Sequence, residues 1–480
     1  MKLKTLSLAV ALALSGCSLI PDYQRPQADI PASWPQGAAY AAPAQAGDAS
    51  ALAWQSVFQD PALKRLVGQA LANNTDLRQA ALNLEAYRAL HRIQRAEQFP
   101  NVELGASGSR QRVPADLSPT GEANIQSQYQ VALGVSYELD LFGRLRSLSR
   151  AAAEQYLAAD AARYSVQVSL VADVASAYLT WRGDQDQLAL AQSTFKSQAD
   201  SLALVEDRLD NGTASQIDVR QARTLVSQAQ VQESLYTRQV AQDLNALERL
   251  LGGRLPTDLP QGQPLGESML AVFPTGLNSE VLLRRPDIRA AEHHLLAANA
   301  NIGAARAAFF PSISLSGAAG TASAELDGLF KGGAGMWQFV PQINLPIFNA
   351  GRLKADLDYA RIRRDINVAE YEGAIQTAFQ EVSDGLAARG TYGKQLHSQQ
   401  GRVEDNQAYY ELARQRYDEG VDSYMAVLDA QRELFAAQQQ LIQDRLAQLL
   451  AEVNLFKAVG GGWHSETVAA VQGSLGHPAP

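Results

Sequence analysis

The first residue with chemistry to offer in this 480-residue chain is its sole cysteine. Cys17 closes the run Leu14-Ser15-Gly16-Cys17, behind a basic start at Lys2 and Lys4 and an apolar stretch from Leu6 to Leu14. A basic start, a short apolar segment and small residues at the cut form a secretory signal, too short to span a bilayer. With cysteine at the cut it reads as a bacterial lipoprotein signal. The thiol would take a diacylglycerol thioether, and cleavage would make Cys17 the first mature residue. Two or three acyl chains anchor stably where one does not. The plainer alternative is an ordinary secretory signal with an incidental cysteine. Ser18 follows, where Asp would favour inner-membrane retention in the usual bacterial sorting pattern, so delivery to the outer membrane is expected. Losing Lys2 and Lys4 makes the mature chain two charges more negative than −9.

Other chemistry is sparse. Met425, Asp429 and Arg432 are spaced by four and then three, which puts them on one helix face. By spacing alone this is a solvated charge stripe. His293 and His294 are adjacent, point to different helix faces and make a poor metal pair. Glu381 and Asp384 lie one turn apart, and a wet surface explains them better than acid–base catalysis. The sequence has no phosphate loop, nucleophile elbow or His-Glu-x-x-His. One cysteine excludes an internal disulfide framework and a Cys-rich zinc site. Net charge −9 argues against a nucleic-acid binder. Charged residues are 19%, below the roughly 25% of typical soluble domains, which argues against a disordered chain. The reading is of no enzyme and no cofactor or metal, only a covalent lipid on Cys17.

The elements that must position these residues come in a repeating order. After the signal at 1–16, residues 17–53 are rich in Pro, Ala, Gln and Gly and read as an extended lipid-anchored tether. Two repeats follow, 54–262 and 263–462, with a tail at 463–480. Asp76-Leu77-Arg78 returns as Asp287-Ile288-Arg289, Phe99-Pro100 as Phe310-Pro311, and Gly143-Arg144-Leu145 as Gly351-Arg352-Leu353. Arg208, Gly212 and Ser215 return as Arg416, Gly420 and Ser423, and Gly252-Gly253 as Gly461-Gly462. Matches in one order at a nearly fixed offset mark a tandem duplication.

Each repeat reads helix, strand, loop, strand, very long helix, tight turn, helix. The first helix is expected from about Asp76 to Gln98, stopped by Pro100. Strands are expected at Val102 to Ser109, Gln128 to Asp140, Ser312 to Ala319 and Met336 to Phe348. Their alternation gives one apolar and one wet face. The long helix after Gly143 should reach about Leu209, roughly 100 Å at 1.5 Å per residue. Val174, Trp181, Leu188, Phe195, Leu202 and Leu209 recur by sevens, as do Val421, Leu428, Phe435, Ile442, Leu449 and Phe456. That spacing is a coiled-coil seam.

Four strands cannot close a transmembrane barrel, because closed barrels start at about eight. An open edge in hydrocarbon costs several kcal/mol per unpaired amide. The strands must then be shared: two copies give eight, three give twelve. The alternative from another class is a lipid-tethered periplasmic coiled-coil scaffold whose hairpins form a small sheet.

The run from Leu282 to Glu292, containing Arg284-Arg285-Pro286-Asp287, resembles the strongest motif of the TolC-like outer-membrane efflux channels. Ala304 to Pro311 follows as that family expects, as do the turn motifs Arg208-(x3)-Gly212-(x2)-Ser215 and Arg416-(x3)-Gly420-(x2)-Ser423. The lipobox followed by Pro21-Asp22-Tyr23 resembles the OprM-type lipoprotein branch. The resemblance covers essentially the whole mature chain. It implies a mixed, mainly α fold: a long coiled-coil helical barrel continuous with a transmembrane β-barrel, four strands per chain, completed by trimerisation to 12 strands and 12 helices. It implies a homotrimer in the Gram-negative outer membrane, contacting lipid and projecting into the periplasm. A periplasmic adaptor (membrane fusion) protein and an inner-membrane, proton-driven resistance-nodulation-division pump would be its partners. The implied function is a passive exit duct for antibiotics, dyes, detergents or organic solvents. A type I protein-secretion duct shares the architecture.

Gly212 and Gly420 allow the positive φ of a tight helix stop. By the resemblance both turns are periplasmic tips where the adaptor docks, with Gly212, Thr213, Ser215, Asp218, Gly420, Val421, Ser423 and Tyr424 as contacts. The resemblance also implies that Met425, Asp429 and Arg432 face the pore and constrict its mouth, and that Tyr417 ties the second turn to its neighbours. Asp422 and Ala426 depart from TolC itself, so its closing bonds do not transfer.

Overall fold

The structure, a computed structural model, describes residues 18–40, 52–119, 121–274 and 278–461. The signal at 1–16, Cys17 and the tail at 463–480 lie outside the described residues. In chain order the helices are α1 (Trp54–Val57), α2 (Pro61–Asn73), α3 (Thr75–Ala96), α4 (Arg144–Asp210), α5 (Gln216–Leu251), α6 (Pro286–Ala307), α7 (Arg352–Asp418) and α8 (Tyr424–Ala458). The strands are β1 (Asn101–Val113), β2 (Asn124–Leu139), β3 (Ser312–Ser323) and β4 (Gly335–Asn344). Helices α4 and α7 hold 67 residues each, so each is about 100 Å long. No described helix is long and apolar enough to cross a membrane. The chain divides into two units. One holds the described residues up to Gln27 with Asn83–Asp160 and Ala290–Glu372; the other holds Ala28–Leu82, Ala161–Arg289 and the chain from Gly373 onward.

The first unit contains the sheet, antiparallel throughout in the order β1-β2-β3-β4. Register sorts its two faces. Val102, Leu104 and Ala106 pair with Val135, Leu133 and Val131, and Gly317 and Ala319 pair with Phe339 and Trp337. The opposite face carries Glu103, Ser107, Gln128, Gln130, Gln338 and Gln342. The apolar face is uncovered: Leu104 is 74% and Trp337 81% exposed. β1 continues to Val113 and β2 starts at Asn124, beyond the sequence expectation, because Arg110–Val113 find ladder partners in Ser127–Asn124. β4 stops at Asn344 instead of Phe348, just before Pro346, which has no amide for the ladder. Pro341 sits inside β4, which fits an edge strand.

In the same unit the start of the tether is bound to α6 and runs antiparallel to it. Arg306 donates to the Leu19 carbonyl at 3.1 Å and Asn299 to the Pro21 carbonyl at 2.8 Å. The Tyr23 hydroxyl donates to Glu292 at 3.0 Å, and Arg25 makes a two-pronged bond to Glu292 at 2.8 and 3.0 Å. Burial, then the Glu292 carboxylate, pushes the Tyr23 hydroxyl pKa up. Ile20 packs on Ala151, Ala297 and Ala300. This approach requires a glycine, since a Cβ on Gly303 would meet the Ile20 side chain at 2.6 Å. His293 Nδ1 donates to buried Glu154 at 2.8 Å, and burial lowers the His294 pKa.

The second unit has a core that the sequence reading did not anticipate before Asp76. Helices α1 and α2 bury Trp54, Val57, Leu63, Leu66 and Val67. Fully buried Asp60 caps α2 through the Leu63 amide and also accepts from Tyr178 and the Gln263 amide. Asn74 ends α2 and caps α3, accepting from the Asp76 and Leu77 amides. Arg285 is buried and donates to Asp287, to Glu381 at 2.8 Å and to the Ala458 carbonyl at 2.6 Å, closing the end of α8. Glu381, expected as a mere wet-surface residue, is thus a partner of Arg285.

The long-helix hairpins differ in the acids they enclose. Asp243 on α5 has a carboxyl oxygen, Oδ2, that is sealed from solvent without a donor. Opposite it, the Asp184 carboxyl on α4 is pushed up to about 7, by burial first and then by the Asp243 carboxyl beside it. In the second hairpin Glu452 faces Arg389 instead. The folded chain therefore keeps the Asp184 proton up to about pH 7, whereas the unfolded chain releases it near 3.8. Stability must fall as pH rises across that window and level off above it. In Asp184→Asn the fall should be reduced and stability above pH 7 should rise. Thermal unfolding of both proteins in detergent from pH 5 to 8 measures the difference; parallel profiles would exclude a raised Asp184 pKa.

Candidate functional site: the two helix-reversal turns

The turns expected from glycine and serine spacing are both in the second unit. Gly212 has φ 73° and Gly420 φ 75°, a left-handed stop that a side chain resists. At the first turn the Thr213 and Ala214 amides donate to the Arg208 carbonyl at 2.8 and 3.2 Å. At the second, the Val421 and Asp422 amides donate to the Arg416 carbonyl at 2.8 and 3.4 Å. The two reversals share one backbone solution, with different side chains. Thr213 adds its hydroxyl to the Arg208 carbonyl.

The caps differ too. Ser215 and Asp218 form a reciprocal capping box at the start of α5. Ser423 begins α8 without a side-chain cap bond; three residues on stands Ala426, which has no carboxylate to return. Asp422 turns instead to Arg416, at 2.5 and 3.1 Å. That bond holds the Asp422 carboxyl below its usual range.

Beneath the turns the hairpins are fastened together. Val205, Val219, Ala222, Leu225, Val427 and Leu428 form a buried cluster. Tyr424, expected as a surface contact, belongs to this cluster at 3% exposure, and its hydroxyl shares a 2.9 Å bond with Ser201. Tyr417 lies 5.2 Å from the Tyr424 ring and 4.4 Å below the Arg208 guanidinium. Arg208 donates onward to Asp418 at 3.0 Å, linking the first turn to the second. The tie expected of Tyr417 therefore includes Arg208 and Asp418, which the sequence reading did not place there. Gly212, Thr213, Ser215, Gly420, Val421 and Ser423 are exposed and Asp218 is half-buried. Val421 is 58% exposed because it lies in the turn, ahead of the seam it was assigned to by spacing.

Met425, Asp429 and Arg432 do share a face at the start of α8. Met425 is 47% exposed and receives a weak bond from Gln221 at 3.8 Å. Arg432 pairs with Asp429 in the same helix. The corresponding positions on α5 are Ile217, Gln221 and Thr224, so at these positions only the second hairpin is charged. Ile217 is 68% exposed and places an apolar side chain on the first tip, a feature missed in the sequence reading. Beside Arg432 a groove of about 460 Å³ runs between α4, α5 and α8, lined by Leu225, Val231, Gln431 and Phe435 among others.

The family model described as outer membrane efflux protein matches twice, over residues 66–253 and 277–461. The toluene efflux pump outer membrane protein TtgF of Pseudomonas putida is 64% identical over 470 residues, covering 96% of this chain and 98% of its own. The antibiotic efflux pump outer membrane protein ArpC of Pseudomonas putida is 58% identical over 471 residues, covering 97% of each. Among solved structures, the open state of the Neisseria gonorrhoeae MtrE outer membrane channel superposes with a TM-score of 0.85 at 40% identity, covering 94% of this chain and 100% of that one.

The unequal caps give a test. Ser215→Ala should cost about 1 kcal/mol of local stability, read as faster hydrogen exchange at the first amides of α5. Ser423→Ala should change the matching amides of α8 far less. Because the Asp422 pKa is lowered, its bond to Arg416 should persist at neutral pH and fail only in acid, as pH falls through its depressed pKa.

Proposed function

The chain belongs to the outer membrane efflux protein family, and we propose that it is the passive exit duct of a tripartite pump for organic solvents and antibiotics. The observation that carries this is the open-edged sheet with an uncovered apolar face, joined to helices far longer than a soluble domain needs. Three copies pool their hairpins into 12 strands and their helices into a 12-helix tunnel. Two similar relatives bear names that specify toluene and antibiotic efflux pumps, which favours small molecules over secreted proteins. The duct performs no catalysis; an inner-membrane, proton-driven pump supplies the energy and a periplasmic adaptor joins the two. The apolar sheet face, unshielded in one chain, disfavours a soluble scaffold.

Repeats at 54–262 and 263–462 are supported by the recurrence of the element order and by the two stretches matched to the family. Cys17 is the lipidated residue: Leu19 and Ile20 are held at the end of α6, just before β3 begins, so the acyl group would enter the leaflet nearest the helices. The adaptor contacts are the exposed tip residues Gly212, Thr213, Ser215, Gly420, Val421 and Ser423, with Asp218 in support and Tyr424 bracing them from below. The groove beside Arg432 offers a further seat.

Met425, Asp429 and Arg432 form the periplasmic gate, with Tyr417 tying the second turn to the first. In a threefold ring Asp429 supplies three carboxylates, each half-satisfied by its own Arg432. An exposed pair is worth about 0–1 kcal/mol, weak enough for a partner to open. Asp429→Ala with Arg432→Ala should raise single-channel conductance in planar bilayers; an unchanged conductance removes these residues from the gate.

Deleting the gene should increase susceptibility to toluene and antibiotics and raise dye accumulation, with restoration by the intact chain. Palmitate labelling of that chain should disappear in Cys17→Ser. Unaltered susceptibility and dye retention would refute the efflux reading.

A further inference from the structure

The apolar face of the sheet ends in two arginines. On β1, Val102, Leu104, Ala106 and Gly108 are followed on the same parity by Arg110 and Arg112. Their register partners confirm the shared face: Val135, Leu133, Val131 and Tyr129, then Ser127 and Ile125. The Tyr129 ring lies over Gly108, where an added Cβ would meet it at 3.1 Å. The intervening residues on the wet face, Ser109 and Gln111, are uncharged and pair with Gln128 and Gln126. All the positive charge at this end of β1 is therefore on the lipid side.

Height decides what these arginines meet. Arg110 is eight residues beyond Val102, roughly 27 Å along the strand. At the usual barrel tilt of about 40° that is roughly 20 Å of height, and Arg112 reaches roughly 26 Å. The apolar band of an outer-membrane barrel is about 25 Å tall. Measured from Val102, the pair lies at or above its upper boundary, since Leu139, Ile313 and Ile343 extend the same face below that rung. The boundary is the one at the loop end of the sheet, away from the strand ends that join α3, α4, α6 and α7. Leu19 and Ile20, close behind the proposed lipid anchor, are held at the helix-joined end. The loop end accordingly faces the outer leaflet.

We propose that Arg110 and Arg112 bind the phosphate groups of the phosphorylated glycolipid that forms that leaflet. Both residues are exposed, and neither side chain forms an ion pair among the described residues. Their Cα atoms are about 7 Å apart, two residues on one strand face. Each planar guanidinium can take a phosphate through two parallel N–H···O bonds, geometry that a lysine does not supply. Tyr129 sits one step below, where an aromatic ring with a polar tip suits the interface. Trp337 on edge strand β4 belongs to the same face, in the half nearer the loops.

The inference rests on the outer-membrane barrel reading, and the test separates the two. Full-length protein in detergent is titrated with purified lipopolysaccharide, with the same lipopolysaccharide after phosphatase treatment, and with inorganic phosphate. Binding is followed by native mass spectrometry and by the heat resistance of the assembled oligomer. Intact lipopolysaccharide should bind and raise heat resistance; the dephosphorylated lipid should bind at least about tenfold more weakly, and inorganic phosphate should not raise heat resistance. Arg110→Gln with Arg112→Gln should lose the same factor, while Arg110→Lys with Arg112→Lys retains part of it. Unchanged conductance of the Gln variant in planar bilayers shows that the barrel is intact; if that variant fails to assemble, the phosphatase comparison on unaltered protein decides. Equal binding of both lipids, or of lipopolysaccharide by an assembled Gln variant, overturns the proposal. A loss of channel activity in unaltered protein would instead count against the barrel itself.

Discussion

A backbone amide left without a partner in hydrocarbon costs several kcal/mol, and this sheet has two edges of them. β1 and β4 each present one unpaired side. A soluble protein could cover such edges with a loop, a charge or a helix. Here the face between the edges is itself apolar and bare, so water is the wrong solvent for it. Both demands are met together when copies join β4 of one chain to β1 of the next. Ring closure then brings the long helices side by side, and their abundant Ala, Ser and Gln become the wall of a tube. The two reversals at the helix ends then recur around an axis.

Much of this was legible from residue order. Period-two alternation found four strands because one side of each faces lipid. Spacing by sevens found the helices because their seams must stay in register over many turns. Gly212 and Gly420 were legible since a left-handed backbone leaves little choice of residue. Strand ends were less so: Arg110 to Val113 look like a polar loop until the ladder to Ser127–Asn124 is seen. Helices α1 and α2 escaped notice since their partners, such as Tyr178 and Gln263 around Asp60, are more than a hundred residues away.

The same reason hid what holds the site. Arg208, Tyr417 and Asp418 meet only when the two hairpins lie together, and no local pattern announces a bond between residues 210 positions apart. Tyr424 looked like a surface residue because it follows a turn, yet its ring points into the cluster beneath. Likewise Tyr23 and Arg25 sit in a proline-rich stretch that composition marks as a loose leash. Glu292, some 270 residues later, fastens them. The Arg-Pro-Asp run marks the family, and its Arg285 physically ties the end of α8.

The bare start of α8 has a mechanical side. A helix whose first amides lack a side-chain acceptor unwinds from that end at lower force than one closed by a reciprocal serine–aspartate pair. Within each chain, the helix capped by Ser215 is therefore the more firmly closed at its first turn and the one that follows Ser423 the more compliant there. Around a closed rim the two kinds alternate, so a pull applied evenly from below would loosen every second one first.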